Sequence, residues 1–487
     1  MEAAEARAAA AGEAGKRKSR VENRAGRSPD DSILNLSTIS APMPPVTIIG
    51  AGLAGSECAW QLALRGHGVR LVEMRPVVTT SAHQTGDCAE LVCSNSFRSD
   101  NPRNAVGLLK REMEALDSLV IRSARAAAVP AGDALAMDRG VFARSVTEAL
   151  ASRPEVELVR EEARGVPEQG FVVLATGPLT SPALDAAIGG LLGTEDLYFY
   201  DSMAPIVEAS SLDTSRMYAL SRYGKGDGAD YWNCPLSREE YERFIDSLTT
   251  GETVPVKDFE KGVYFEGCLP IEVMAERGRE TLRHGPMKPM GLPDPRTGRI
   301  PWAVVQLRQD DLAAEHYNIV GFQTKLKIPE QQRIFRSIPG LESAVFARYG
   351  MLHRNTYIHA PAHLDRFWRM RREPRIFFAG QITGVEGYVE SAATGLAVGL
   401  TLSQILEGRE PVPVPYTTAI GSLARHCSER PPEEKFEPMN VTFGLIEDTS
   451  HSPIRDKAVR RQRMVERALA AINEWKTEIA GTPAVVW

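Results

Sequence analysis

Cysteine is scarce and unpaired in this sequence: six in 487 residues, at positions 58, 88, 93, 234, 268 and 427, with no C-x-x-C spacing. That excludes a secreted disulfide scaffold and reads as a cytoplasmic chain with reduced thiols. H-E-x-x-H is missing too, so no metal-site signature is present. No run approaches the roughly 18 consecutive apolar residues of a membrane span, and no membrane association is expected. Basic charge is not in excess either: 57 Lys and Arg face 63 Asp and Glu, a formal net charge of −6. The chain therefore has no global field for nucleic acid, although a local basic face is enough to contact phosphates. Nothing marks an obligate protein partner. The length suits two or three domains.

Residues 1–42 are Ala-rich and mix Lys16-Arg17-Lys18-Ser19-Arg20 with Glu2, Glu5, Glu13 and Glu22. They lack the apolar core of a signal peptide and hold too many acids for a transit peptide. A disordered extension is expected, with Met43 as an alternative start. From Val46 the pattern changes. Val46-Thr47-Ile48-Ile49 is a short apolar run, read as a buried parallel strand. A helix to about Arg65, the turn Gly66-His67-Gly68 and a second strand ending at Glu73 complete a βαβ start. Further strands are expected at Gly170 to Gly177 and Arg375 to Gly380, the latter leading into the small-residue helix around Glu390 to Gly395. Between them, residues 206–357 lose the βαβ rhythm and read as an inserted α+β substrate domain. The expected fold is α/β, with 43–205 and 358–487 forming one Rossmann-type domain around that insertion. A last amphipathic helix, about Ile454 to Ile479, carries Val465, Leu469, Ile472 and Ile479 on one face.

Gly50-Ala51-Gly52-Leu53-Ala54-Gly55 follows the first strand and opens the helix. The first glycine makes the tight turn, the second lets backbone approach a pyrophosphate, and the third permits close packing. The helix N-terminus supplies N–H donors. Glu73 suits the ribose hydroxyls of an adenosine and would repel a 2′-phosphate, favouring FAD or NAD over NADP. Ala175-Thr176-Gly177 and Ala379-Gly380 resemble the later glycine turns of two-dinucleotide flavoproteins, in the same order along the chain. The set of three points to FAD, with Gly177, Gly380, Gln381, Gly387 and Tyr388 joining the cofactor site.

Longer motifs carry a closer resemblance. Ala89 to Ser96, Phe265 to Glu272, Gln306 to Asp310, Gly350 to Thr356 and Gly380 to Tyr388 resemble the folate- and FAD-dependent tRNA (uracil-5-)-methyltransferases, the TrmFO family, over the chain from about Pro45 onward. The resemblance implies conversion of the T-loop uridine at tRNA position 54 to ribothymidine. The carbon would come from 5,10-methylenetetrahydrofolate and the reducing equivalents from NADH or NADPH through FAD. Uracil C5 is a poor nucleophile until a thiolate adds to C6, and a base must finally remove the C5 proton. Cys268, in a Gly-Cys-Leu-Pro turn, is expected to be the nucleophile, and Cys93 to handle the C5 proton; the reverse order stays open. Cys234 competes with Cys268, while Cys58, Cys88 and Cys427 read as structural. Tyr388 and His353 are expected to face the flavin and stack on a pterin or nicotinamide ring, and Arg354 to meet the folate carboxylate. For the tRNA T-arm, three basic clusters are candidates: Glu276 to Arg308, Arg366 to Arg375, and Lys457 to Arg463. One rival is a GidA-type flavoprotein acting on the wobble uridine, which continues into a longer C-terminal helical domain. Another is a flavin oxidoreductase of small metabolites, and a third is a non-catalytic flavin- or folate-sensing protein.

Overall fold

In the computed structural model, residues 44–80, 82–193, 197–255, 269–431, 436–449 and 455–481 are described. The expected Rossmann-type arrangement is present. Five parallel strands run in the order Ile376–Phe378, Val172–Leu174, Val46–Ile49, Val69–Glu73, Val156–Arg160. Their side chains are mostly Val, Ile, Leu and Phe because both faces of the first four strands are covered, whereas the edge strand Val156–Arg160 has no fully buried residue. On one side lie the helices Leu53–Ala63 and Tyr388–Leu406, packed closely on each other. Small residues allow that approach: a Cβ on Gly395 would come within 2.0 Å of the Ala54 carbonyl oxygen, and one on Gly399 within 2.9 Å of that of Cys58.

The helix Tyr388–Leu406 is long and apolar enough to cross a membrane, which corrects the expectation that no stretch approaches a span. The reason is packing: 83% of its apolar window is buried inside the protein, so it is apolar on all sides.

Residues 206–348 build a second, antiparallel sheet in the order Tyr218–Ala219, Tyr231–Leu236, Ala303–Gln309, His316–Ile319, Ile206–Glu208, Phe346–Arg348, with its own apolar core. Two antiparallel strands, Leu197–Ser202 and Leu352–Tyr357, lead into and out of that region and place Asp201 opposite His353. A small sheet of Ser96–Ser99, Ala134–Met137 and Ala128–Val129 carries the loop that begins at Cys93. The C-terminal helix is Lys457–Ala480, started by the Asp456 carboxylate, which accepts the N–H groups of Ala458 and Val459. Met464, Val465, Ala468, Ile472, Trp475 and Ile479 form its buried face, and Leu469 is half-buried.

Candidate active site

One cleft of about 440 Å³ runs from the glycine turn after the first strand to the Cys93 loop. At its first end, Gly50 has φ +101°, and a Cβ there would stand 2.4 Å from the Ala175 carbonyl oxygen. A Cβ on Gly55 would meet the Gly50 carbonyl oxygen at 1.8 Å, so this glycine serves packing and not the cleft surface. Gly52 differs: nothing lies within 4 Å of its Cβ position, and it lines the cleft with Leu53 and Ala54. A side chain there would fill the space a pyrophosphate needs. The helix Leu53–Ala63 has neither a side-chain cap nor an acid in its first turn, leaving its N–H groups and positive dipole end for an anion.

Gly387, start of the helix Tyr388–Leu406, is likewise without a side-chain cap and lines the same cleft, as do Gly177, Gly380 and Gln381. Gln381 donates its amide to the Glu386 carboxylate at 2.6 Å, and the Gly380 N–H donates to Thr394 Oγ1 at 2.6 Å.

Glu73 lies on the cleft wall. Its Oε2 accepts the Ala51 N–H at 2.9 Å, and its Oε1 accepts the backbone N–H and Nε–H of Arg75 at 3.0 and 2.8 Å. Ala51 is thereby turned to Glu73 and away from the cleft. Burial raises the Glu73 pKa, but Arg75 and the two N–H groups more than offset this and hold it below the usual carboxylate range. The two Arg75 donors fill Oε1, and Oε2 retains a lone pair for a ribose hydroxyl. An adenine dinucleotide with two phosphate charges fits this end of the cleft.

At the other end stands Cys93, half-buried, the one free cysteine among the described residues that lines the cleft. Tyr388 defines its position. The Tyr388 hydroxyl oxygen accepts the N–H of Cys93 at 2.8 Å and that of Ser94 at 3.3 Å, and sits 2.9 Å from Cys93 Sγ. With its lone pairs engaged by two N–H groups, the hydroxyl proton is left to point at the sulfur. Burial, above all, pushes the Tyr388 phenol well above its ordinary pKa, so that proton stays on. Burial, then the Asp201 carboxylate, push the Cys93 thiol up to about 12, against the lowering effects of Tyr388 and Arg139.

Two arginines, Arg308 buried and Arg139 partly buried, hold the loop. Arg139 donates to the carbonyl of Leu91 at 3.0 Å and to Asp310, and Arg308 donates to Asn95 Oδ1 and Ser94 Oγ, both at 3.0 Å. Asp310 and Arg308 belong to the antiparallel region, so the thiol loop is fastened to both halves of the molecule. His353 and Asp201 also line the cleft, with Nε2 and Oδ2 3.7 Å apart. Glu386 is buried beside them, its carboxyl raised well above the ordinary value by burial and then by Asp201.

The family profile described as GIDA, glucose inhibited division protein A, matches residues 45–410. Proteins named methylenetetrahydrofolate–tRNA-(uracil-5-)-methyltransferase TrmFO match more tightly still. That of Geobacter sulfurreducens is 54% identical over 433 residues, 88% of this chain and 98% of its own length. That of Symbiobacterium thermophilum is 54% identical over 442 residues, 90% of this chain and 99% of its own. This chain belongs to the TrmFO family. Among solved structures, Aquifex aeolicus GidA in its form II crystal superposes with a TM-score of 0.65 at 15% identity, covering 91% of this chain and 74% of that one. At that identity the likeness establishes the shared fold. The rival GidA-type reading thus shares architecture, while sequence places the chain with TrmFO.

Of the residues expected for a TrmFO site, the cleft gathers Gly50, Gly52, Leu53, Ala54, Glu73, Gly177, Gly380, Gln381, Gly387, Tyr388, Cys93 and His353. Cys268 and the Arg354 side chain lie outside the described residues. Just beyond Cys268, among the described residues, the Ile271 N–H donates to the carbonyl of the cleft-lining Gln323 at 2.7 Å. Cys234 is fully buried in the antiparallel core, and burial raises its pKa far up, which removes it as an accessible thiol. Cys58, Cys88 and Cys427 are buried as well.

The basic clusters require correction. Arg308, counted among phosphate-facing charges, is buried under the Cys93 loop. Trp368, read as an aromatic interleaved with surface arginines, is buried, and Arg369 and Arg375 pair with Asp365 and Glu373. In the first cluster Arg279, Arg283 and Arg296 pair with Asp246, Glu280 and Asp294. Arg366, Arg371 and Arg372 remain exposed. Sequence reasoning missed Arg98, Arg139, Asp201 and Glu390. Arg98 lines the cleft and donates to both carboxylate oxygens of the buried Glu390. No motif announced them, because their partners are distant along the chain: Glu390 lies 292 positions from Arg98 and Asp310 171 from Arg139.

Proposed function

We propose that this chain methylates C5 of uracil in tRNA with 5,10-methylenetetrahydrofolate as carbon donor, and that its target is the T-loop uridine. The observation that carries the reading is a thiol, Cys93, on the wall of the same cleft that carries the dinucleotide glycines, in a chain 54% identical to TrmFO proteins. Gly52, Glu73, Gly177, Gly380, Gln381 and Gly387 would hold FAD, consistent with two uncapped helix N-termini at one cleft. Bound FAD, reduced by NADH or NADPH, supplies the two electrons that take a carbon from the formaldehyde level to a methyl group.

The protein's own part is acid–base and nucleophilic. Cys268 adds as thiolate to uracil C6, and the electron pair of the C5–C6 bond moves to C5, which bonds to the donor methylene. Cys93 takes the C5 proton, and the electron pair left at C5 expels the amine nitrogen of the carbon donor to give an exocyclic methylene. Two electrons and a proton, which bound reduced FAD would supply, convert that carbon to methyl as the sulfur of Cys268 leaves and the C5–C6 double bond reforms. Burial and the Asp201 carboxylate favour the neutral thiol of Cys93; once deprotonated it is a strong base, and the Tyr388 hydroxyl and the Arg139 charge are the groups that support that charged form. Residues 206–357 serve as the substrate domain, flanked by the two parts of the FAD domain (43–205 and 358–487), with residues 1–42 an extension. A cytoplasmic setting supplies tRNA, reduced folate and nicotinamide together.

The test is trapping with tRNA that carries 5-fluorouridine, where fluorine blocks removal from C5 and preserves the adduct. Wild type should give a protein–tRNA band on a denaturing gel, and Cys268→Ala should give none. With ordinary tRNA, Cys93→Ala should stall after addition and accumulate the adduct. Trapping by Cys268→Ala would reverse the two roles, and adduct lost instead with Cys234→Ala would move the nucleophile.

A further inference from the structure

Exposed aromatic side chains need a reason, and one in this structure sits in a turn built to present it. In Ser221-Arg222-Tyr223-Gly224-Lys225-Gly226-Asp227-Gly228, Tyr223 is 65% exposed and adopts a left-handed conformation, φ 59° and ψ 28°. A non-glycine residue holds such a conformation only when its surroundings impose it. They do so here. The Tyr223 N–H donates to the Gly291 carbonyl at 3.1 Å, and the Ser221 N–H to that of Gly228 at 2.8 Å. The Arg222 guanidinium clamps the carbonyls of Met290 and Lys288 and reaches Gln306 Oε1 at 3.2 Å. The ring rests on the Gly291 backbone, where a Cβ would approach Tyr223 Cε1 to 2.5 Å. The platform is therefore fixed before any partner arrives.

Its charge and place are informative. Arg222 is bound to uncharged acceptors and keeps its full positive charge, and Lys288 is exposed beside it. The turn abuts the cleft: Lys225 pairs at 2.6 Å with Asp133, the residue before the cleft-lining Ala134, and Gly132 donates to Asp230 at 2.6 Å. On a chain with a formal net charge of −6, a rigid exposed ring flanked by cations at the rim suits a polyanion with a planar group to stack.

We propose that Tyr223 is a stacking platform for an unpaired nucleotide of the tRNA substrate, with Lys288 and Arg222 contacting adjacent phosphates. The inference rests on the tRNA reading above. It places an anchor at the cleft mouth, where a base extruded from the T-arm has to pass.

The experiment measures equilibrium binding of an unmodified tRNA transcript to the FAD-loaded enzyme at several salt concentrations. Tyr223→Asn removes the ring while keeping a residue that tolerates the left-handed backbone, and Tyr223→Phe keeps the ring. The Asn variant should bind on the order of tenfold more weakly with an unchanged salt slope, because base–aromatic stacking is uncharged. The Phe variant should bind like wild type. Lys288→Ala should instead lower the salt slope by about one. FAD absorbance should be the same in all four proteins. Wild-type affinity in the Asn variant overturns the platform, as does equal loss in Asn and Phe variants. A wild-type enzyme that binds no tRNA sinks the functional reading itself, and this inference with it.

Discussion

Replacing Tyr388 by Phe removes a single oxygen, and the structure says what that oxygen does. It accepts two backbone N–H groups, those of Cys93 and Ser94, and donates to Cys93 Sγ. A hydrogen bond to a charged group contributes about 1.5–3 kcal/mol. At about 1.4 kcal/mol per pKa unit, losing the donor should raise the Cys93 thiol by roughly one to two units. At fixed pH the thiolate fraction, and with it the rate of alkylation, should fall about 10- to 100-fold. Two N–H groups also lose their acceptor, at about 1–3 kcal/mol each if both stay dry. A lowered Tm should therefore accompany the chemical effect. The assay is the pH dependence of iodoacetamide labelling at Cys93, read by peptide mass in a Cys268→Ser background, where the remaining described cysteines are buried. FAD absorbance serves as the control for folding. An unchanged labelling rate in the Phe variant would refute the reasoning, because the hydroxyl would then not be supporting the sulfur.

Glu73→Ala strips a buried acceptor from Ala51 and Arg75 as well as from the cofactor ribose. It should weaken FAD binding by on the order of tenfold or more and lower Tm; unaltered FAD affinity by titration would remove Glu73 from the site. The Glu112 carboxyl is pushed up to about 8 by burial, although it accepts the N–H groups of Ala419 and Ile420. A folded pKa above the unfolded one means the folded state binds more protons. Its stabilising contribution is complete below about 4.5 and lost as pH rises through about 8. Tm should decline across that window, and Glu112→Gln should flatten the decline; an identical pH profile in the variant would show that Glu112 does not titrate there.

Local features of this fold were legible because each has a local cause. Val46–Ile49, Val69–Glu73 and the helix from Leu53 follow from an apolar run, an acid-ended strand and glycines whose Cβ atoms would collide with named backbone atoms. The cofactor end of the cleft was legible for the same reason. The thiol end was legible only in part. Cys93 could be picked from its motif, but its partners come from three distant places: Tyr388 from the helix start, Arg139 from before the second half, Arg308 from the antiparallel sheet. Charge counting failed where packing decides. Arg308 and Trp368 look like surface residues in sequence and are buried, because the one has Ser94 and Asn95 to bind and the other fills the core beneath an arginine-rich turn. Tyr223 went unnoticed because a turn of glycines around one aromatic has no periodicity to reveal which way the ring faces.

The central claim is most directly tested by supplying the purified protein with FAD, NADH or NADPH, 5,10-methylenetetrahydrofolate labelled in the one-carbon unit, and an unmodified tRNA transcript, then analysing the nucleosides. The account predicts labelled 5-methyluridine at the T-loop uridine, dependent on both folate and nicotinamide, and none with Cys268→Ala. Absence of 5-methyluridine, or label placed at a uridine outside the T-loop, would contradict it.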